Sequence, residues 1–304
     1  MPTGDETPRD VAGYFGGGEA SSGYLSGIDK ITFPADTKST LAATLTTARK
    51  QLAGMANSGT AGYFGGGEAS SGYLSGIDKI TFPDDSKSTL AATLTTARLG
   101  LAGMANSGTA GYFGGGYDSS NTSGIDKITF PDDSKSTLAA TLTSARRDPA
   151  AMANSGTAGY FGGGIGPSDA LLSGIDKITF PADTKSTLAA TLTTARRFLA
   201  AMANSGTAGY FGGGDGGGNI SGIDKITFPA DTKSTLAATL TTARRALAGM
   251  ANSGTAGYFG GGLDSTFVSG IDKITFSADS KSTLTATLTT ARFLLAAMAD
   301  SGVL

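Results

Sequence analysis

The sequence predicts an all-β fold, a six-bladed β-propeller with four antiparallel strands per blade. Three observations lead there. First, GYFGGG recurs at Gly13, Gly62, Gly111, Gly159, Gly209 and Gly257, at spacings of 49, 49, 48, 50 and 48 residues. A period of that length marks stacked or ringed supersecondary units. Second, each unit carries short runs rich in Thr, Ile, Phe and Tyr, punctuated by Gly, Asn-Ser-Gly and Pro-Ala-Asp-Thr, which read as strands and turns. Third, the two ends are complementary. The first copy starts at VAGYFGGG without an inner strand, and the last runs out in FLLAAMADSGVL, an inner strand with nothing after it. Joining the C-terminal strand to the N-terminal blade closes the ring and leaves no open edge, whereas an open solenoid would carry distinct polar caps. Residues 1–10 read as a polar segment and 11–304 as one propeller domain.

The elements follow in order along one copy. LAAMAN (Leu199 to Asn204) is the inner strand, its small residues suited to the crowded centre of a ring. An Asn-Ser-Gly turn leads to TAGYFGG, the second strand, and IDKITF is the third. In the next turn Asp231 and Thr232 are placed to bond the local backbone. TLAATLTTAR (Thr235 to Arg244) is then expected as the fourth strand. Ala and Leu would also suit a helix there, but the Thr density and the Gly that follows favour a strand. Met202 and its equivalents alternate with small residues and read as core or channel packing.

Composition narrows the function classes. The chain is 39% hydrophobic and 16% charged with a formal net charge of -2, which fits a globular protein. With no basic excess to neutralise phosphates, nucleic-acid binding is not expected. There is no cysteine for disulfides or thiolate metal sites and no histidine, the commonest general base and metal ligand. The start, MPTGDETPRD, lacks a signal peptide's apolar core, and no apolar run approaches a bilayer's thickness. Cytoplasmic synthesis without membrane insertion is the expectation.

The unit resembles the kelch repeat: Arg, a small-residue strand, an aromatic strand ending in a glycine doublet (Tyr210, Phe211, Gly212, Gly213), then an aromatic before a turn Asp. The resemblance spans the chain after Asp10. It departs in the fourth strand, where kelch repeats usually carry Trp and this chain has Leu41 and its equivalents. Kelch-like propellers mostly bind partners and a minority are enzymes. Their copper oxidases use histidine ligands, so that activity does not carry over. Near-verbatim repeats rich in Thr, Ser, Ala and Gly also look like bacteriophage tail or virion-surface proteins. A designed or recently amplified repeat fits such regularity as well.

Variation is confined to two places. The inserts between GGG and SG read EASSGYL twice, then YDSSNT, IGPSDALL, DGGGNI and LDSTFV. The pair after the Arg that ends each repeat is Lys50-Gln51, Leu99-Gly100, Arg147-Asp148, Arg197-Phe198, Arg245-Ala246 and Phe293-Leu294. The ANSGTA and PADTKST turns barely change. In an antiparallel blade successive connections alternate between faces, so both variable places fall on one face and both constant turns on the other. Surface loops drift by default, but drift would reach all four connections, unless the tight Asn-Ser-Gly hairpin restricts the constant ones. The variable face is therefore read as a recognition surface. Its candidates are Tyr24, Tyr73, Tyr117, Asp118, Asn121, Asp169, Leu172, Asp215, Asn219, Asp264 and Phe267 from the inserts. Lys50, Gln51, Leu99, Arg147, Asp148, Arg197, Phe198, Arg245, Phe293 and Leu294 join them from the second place. Exposed aromatics there would supply contact area at low entropy cost.

Signals for chemistry are weak. GYFGGG has no Gly-Lys-Ser/Thr after it and no helix, so its glycines read as a tight strand exit rather than a phosphate cradle. Asp224, Lys225 and Arg244 recur in every copy and read as structural ion pairs. The unique acids Glu19, Glu68, Asp118, Asp148, Asp169, Asp215 and Asp264 could pair to hydrolyse a glycan or bind Ca²⁺, but no spacing matches such a motif. The expectation is a non-enzymatic module, without cofactor or metal, that binds a protein or glycan surface and fits a virion or tail component. The alternatives are a structural ring docked in a larger assembly through exposed Leu99, Phe198, Phe293 and Leu294, and a glycan-processing enzyme.

Overall fold

Strands five residues long or shorter, each flanked by glycine-rich turns, can be stable only as members of larger packed sheets. In the computed structural model, which describes residues 11–300, they assemble into six four-stranded antiparallel sheets arranged as a propeller. In the fifth blade the inner strand is Ala200–Asn204, the second Ala208–Gly212, the third Ile223–Thr227 and the outer Thr232–Thr235. Residues 1–10 lie outside the described residues, as do the last four of the chain. The expected closure is present: Ala296–Ala299 pairs antiparallel with Ala12–Gly16, Gly13 opposite Ala299 and Gly16 opposite Ala296.

The second strand, AGYFG, is buried along its whole length because neighbouring blades cover both its faces. Its glycines are holes for the neighbours' side chains. A Cβ on Gly209 would lie 2.2 Å from Sδ of Met152 in the preceding blade, and one on Gly212 would lie 2.6 Å from the Phe259 ring of the next. Met152 and its equivalents are thus packing between blades. Tyr160 stacks on Phe228 across the same seam, ring centres 5.1 Å apart. The following glycines do provide the tight exit: Gly213 and Gly214 have φ of 65° and 108°.

The fourth strand departs from expectation. The ladder lies at Thr232–Thr235, and Leu236 to Arg244 runs on as irregular chain. There Leu236, Leu240 and Arg244 each donate one backbone N–H to the carbonyls of Ile223, Ser221 and Ile220. The reason lies in the neighbouring blade. Leu240 is buried, while the Thr241 N–H and Oγ1 and the Arg244 guanidinium reach Asp272 of the sixth blade at 3.0, 2.5 and 3.1 Å. Satisfying that buried carboxylate outweighs extending a ladder. In the second turn the Asp231 N–H does bond the local Thr227 carbonyl (2.8 Å) and the Thr232 carbonyl accepts from Thr227 Oγ1 (3.1 Å), but the role of the Asp231 side chain is corrected. The Asp231 carboxylate accepts from Tyr160 Oη (2.8 Å) and Lys177 Nζ (2.6 Å) of the preceding blade, not from its local backbone.

These seam contacts repeat round the ring, including the closing seam, where Tyr258 and Lys273 reach Asp36, and Thr289 and Arg292 reach Asp29. Burial opposes ionisation of Asp78, but Thr46, Arg49 and Thr89 outweigh it and hold its carboxyl below the usual carboxylate range. The ion-pair reading of the recurring Asp, Lys and Arg therefore holds.

Candidate functional site

One face of the disc is stitched by constant residues. Asn57 Oδ1 accepts from the Gly108 N–H of the next turn (2.8 Å), and Ser107 Oγ accepts from the Ser58 N–H (3.0 Å). Asn106, Asn154 and Asn204 repeat the first bond on Gly156, Gly206 and Gly254. ANSGTA is thus constant because each turn is a partner of the next, beyond any demand of hairpin geometry.

The opposite face brings the two variable places into contact. The first residue after each Arg forms a backbone bridge to the next blade's insert: Lys50 with Glu68, Leu99 with Tyr117, Arg147 with Ile165, Arg197 with Asp215, Arg245 with Leu263 and Phe293 with Glu19. Side chains match across these junctions. Lys50 lies 2.8 Å from Glu19 and 3.7 Å from Glu68, with its ammonium 4.8 Å from the Tyr24 ring centre. Arg147 bonds Asp169 (2.9 Å) and Asn121 (3.2 Å) and covers the Tyr117 ring, and Arg197 bonds Asp215 (3.1 Å). Arg245 donates to Asn219, whose amide donates in turn to the Leu263 and Asp264 carbonyls. Phe267 stacks on Phe293 at 5.2 Å.

Much of what varies is therefore engaged inside the protein, and the expected exposure is corrected. Leu99 is 8% exposed, and Phe198, Phe293 and Leu294 are half-buried. Of the aromatics, Tyr24, Tyr117 and Phe267 are half-buried, while Tyr73, at 37%, is the exposed large hydrophobic among the described residues. Leu99 is covered at its junction with Tyr117 and Phe293 by the Phe267 ring, whereas Phe198 and Leu294 turn to the axial cavity, none of which a single repeat read alone reveals. Asp118 and Asp264 cap their own loops at Ser120 and Thr266, and hydrogen bonds led by the Thr266 N–H hold the Asp264 carboxyl below its usual range. Leu172 lies beside Gly166 at the edge of the fourth insert. Tyr73 meets Tyr117 edge-on at 6.1 Å. Beyond it a cleft of about 350 Å³ opens between the third and fourth blades, bordered by Tyr117, Ser120, Asn121, Arg147, Pro167 and Asp169.

The second residue after each Arg does something the sequence did not announce. Gln51 donates its N–H to the Leu294 carbonyl, Gly100 to Gln51, Asp148 to Gly100, Phe198 to Asp148, Ala246 to Phe198 and Leu294 to Ala246. These six bonds, 2.7 to 3.2 Å long, form a closed ring round the propeller axis. Every member is left-handed, with φ between 50° and 65°. Gly100 and Asp148 suit that conformation, but Phe198 and Leu294 hide it, because such residues rarely adopt it. The ring rims an axial well of about 110 Å³ that is also lined by the small residues of the inner strands.

The rim is asymmetric. Gln51 Nε2 donates to Asp148 Oδ1 at 3.0 Å, reaching past Gly100, where a Cβ would lie 2.5 Å from that oxygen. Asp148 is 6% exposed, and burial pushes its carboxyl up to about 7 against the pull of Gln51, Arg147 and Arg197. Phe198, Ala246 and Leu294 make the other half apolar. Among the described residues no three Asp or Glu side chains converge as metal ligands. Glu19 and Glu68 share the Lys50 ammonium. The chain matches no family model and no curated protein sequence.

Proposed function

We propose that this propeller is a non-enzymatic recognition module that binds a protein or glycan surface through its variable face. The observation that carries the reading is the contrast between the faces. One is stitched by bonds that repeat from blade to blade. The other sets differing side chains on an identical frame, around an off-centre cleft and an axial well. Tyr73, Tyr117, Asn121, Arg147 and Asp169 combine aromatic area with hydrogen-bonding groups beside that cleft, the mixture that fixes a ligand's orientation. The kelch resemblance supports the reading, since most such propellers bind partners, and the regularity of the repeats suits a virion or tail component. The docked-ring alternative draws less support, because Leu99 is buried, Phe293 is stacked on Phe267, and Phe198 and Leu294 line the rim of the axial well rather than a flat apolar patch. The glycan-processing reading draws less support too, because Glu19 and Glu68 flank the Lys50 ammonium and Asp169 and Asp215 are paired with Arg147 and Arg197.

The test replaces all six inserts with DGGGNI and makes the residue after each conserved Arg an arginine. Each junction then keeps the pairing seen between Arg197 and Asp215. Native and variant proteins are compared on a panel of glycans and of cell and virion surfaces. Binding lost by a variant that melts like the native protein is the expected result. Equal binding by both would overturn the assignment to this face.

A further inference from the structure

The rim of the axial well presents one carboxylate in an unusual state. Asp148 Oδ1 accepts one hydrogen bond, from Gln51, and the nearest cationic nitrogen to Oδ2 is Arg147 Nε at 3.8 Å. An ionised carboxylate offers about four acceptor sites, and leaving them empty in a buried position is costly. The two cations whose charges reach Asp148 are already committed, Arg147 to Asp169 and Arg197 to Asp215. Asp148 is therefore a buried acid whose one ion-pair contact is long and shared with Asp169, bordering an open cavity.

We propose that the axial well binds a primary alkylammonium group, with Asp148 and Gln51 holding the ammonium and Phe198 and Leu294 flanking its alkyl chain. This rests on the reading that the variable face binds ligands, and it names the chemistry at its centre. Three features select this class. The well's volume of about 110 Å³ is well below the 300–1,000 Å³ of pockets for larger ligands. A metal ion needs several oxygen ligands, usually more than one of them a carboxylate, yet among the described residues no acidic cluster converges and Asp148 is the one acid lining the well. An ammonium's three donors can be met by the unfilled acceptor sites of the Asp148 carboxylate and by the Gln51 amide oxygen without a metal's full oxygen shell, while the apolar half of the rim suits the methylenes behind it.

Native protein is titrated by calorimetry at about pH 8 with n-butylammonium chloride, n-butanol and potassium chloride. Saturable binding of butylammonium alone is expected. It should weaken by at least about tenfold in Asp148→Asn, since a buried charge pair loses one partner. It should weaken again at about pH 5, where Asp148 takes up its proton. Asparagine matches aspartate in shape, and a retained cooperative melt verifies the fold. Absence of binding, equal binding of butanol or potassium, or binding that survives Asp148→Asn overturns the proposal. Lysine blocked at its α-amine and carboxyl, set against its Nε-acetylated form, identifies the source. Preference for the free ε-ammonium points to a partner protein's lysine, and butylammonium binding without it points to a free amine. The insert-replaced protein keeps the rim, so butylammonium binding that persists there while surface binding is unchanged would sink the wider reading alone.

Discussion

Asp78→Ala is the sharpest test of how the blades hold together. Arg49, whose side chain is 3% exposed, lies 2.7 Å from Asp78 across the seam between the first two blades. The same carboxylate accepts from the Thr46 N–H (3.0 Å), Thr46 Oγ1 (2.6 Å) and Thr89 Oγ1 (2.9 Å). Removing it strands a buried guanidinium and three donors, and breaking a buried ion pair from one side costs about 3–5 kcal/mol. For a chain of 304 residues, unfolding entropy near 60 °C is roughly 0.6 kcal/mol per degree, so the melting temperature should fall by about 5–8 °C. Arg49→Met should cost less, because Asp78 keeps both threonines and Lys87 at 3.4 Å. Calorimetry of native protein and both variants decides the matter. A melt of Asp78→Ala within about a degree of native, or a larger loss for Arg49→Met, would refute the seam argument.

Three further outcomes are expected. Folding holds the carboxyls of Asp29, Asp78, Asp126 and Asp272 below their usual range. Their stabilisation is present above the unfolded value near 3.8 and lost as pH falls through the lower folded values, so denaturant titrations should show stability collapsing below about pH 4. Asp148 has the opposite sign, raised from 3.8 to about 7: its contribution is full below about pH 4 and lost as pH rises through about 7, a fall of roughly 4 kcal/mol. Asp148→Asn should abolish that fall and melt higher than native at about pH 8; equal pH slopes for the two proteins would contradict it. Gly209→Ala drives a methyl group into Met152 and should cost about 1–3 kcal/mol, whereas Tyr73→Ala, on the surface, should change stability by no more than about 0.5 kcal/mol; chemical denaturation reads both.

The fold was legible because every copy repeats the same alternation of strand-forming runs and turn residues, and because the missing first strand and the surplus last one match. The outer strand was misplaced for a physical reason. TLAATLTTAR has strand-like composition, but its Thr241 and Arg244 are spent on an acid in the next blade, a partner about 30 residues away in the chain, as Arg49 is from Asp78. The variable face was legible as a place but not as a surface. Nothing in the string says that Arg147 answers Asp169, or that Phe267 covers Phe293.

By itself the sequence determined the number of blades, their closure and the two places where copies differ, since periodicity and turn chemistry are local properties. Only the tertiary structure decided what the conserved letters are for. Gly209 is a hole for Met152, Asn154 a clasp on Gly206, and Asp231 an acceptor for Tyr160 and Lys177. It also decided that Gln51, Gly100, Asp148, Phe198, Ala246 and Leu294 form one ring. Six residues of unlike chemistry share that position because the ring is built from backbone bonds. The side chains were left free to differ, and only closure of the propeller brings them together.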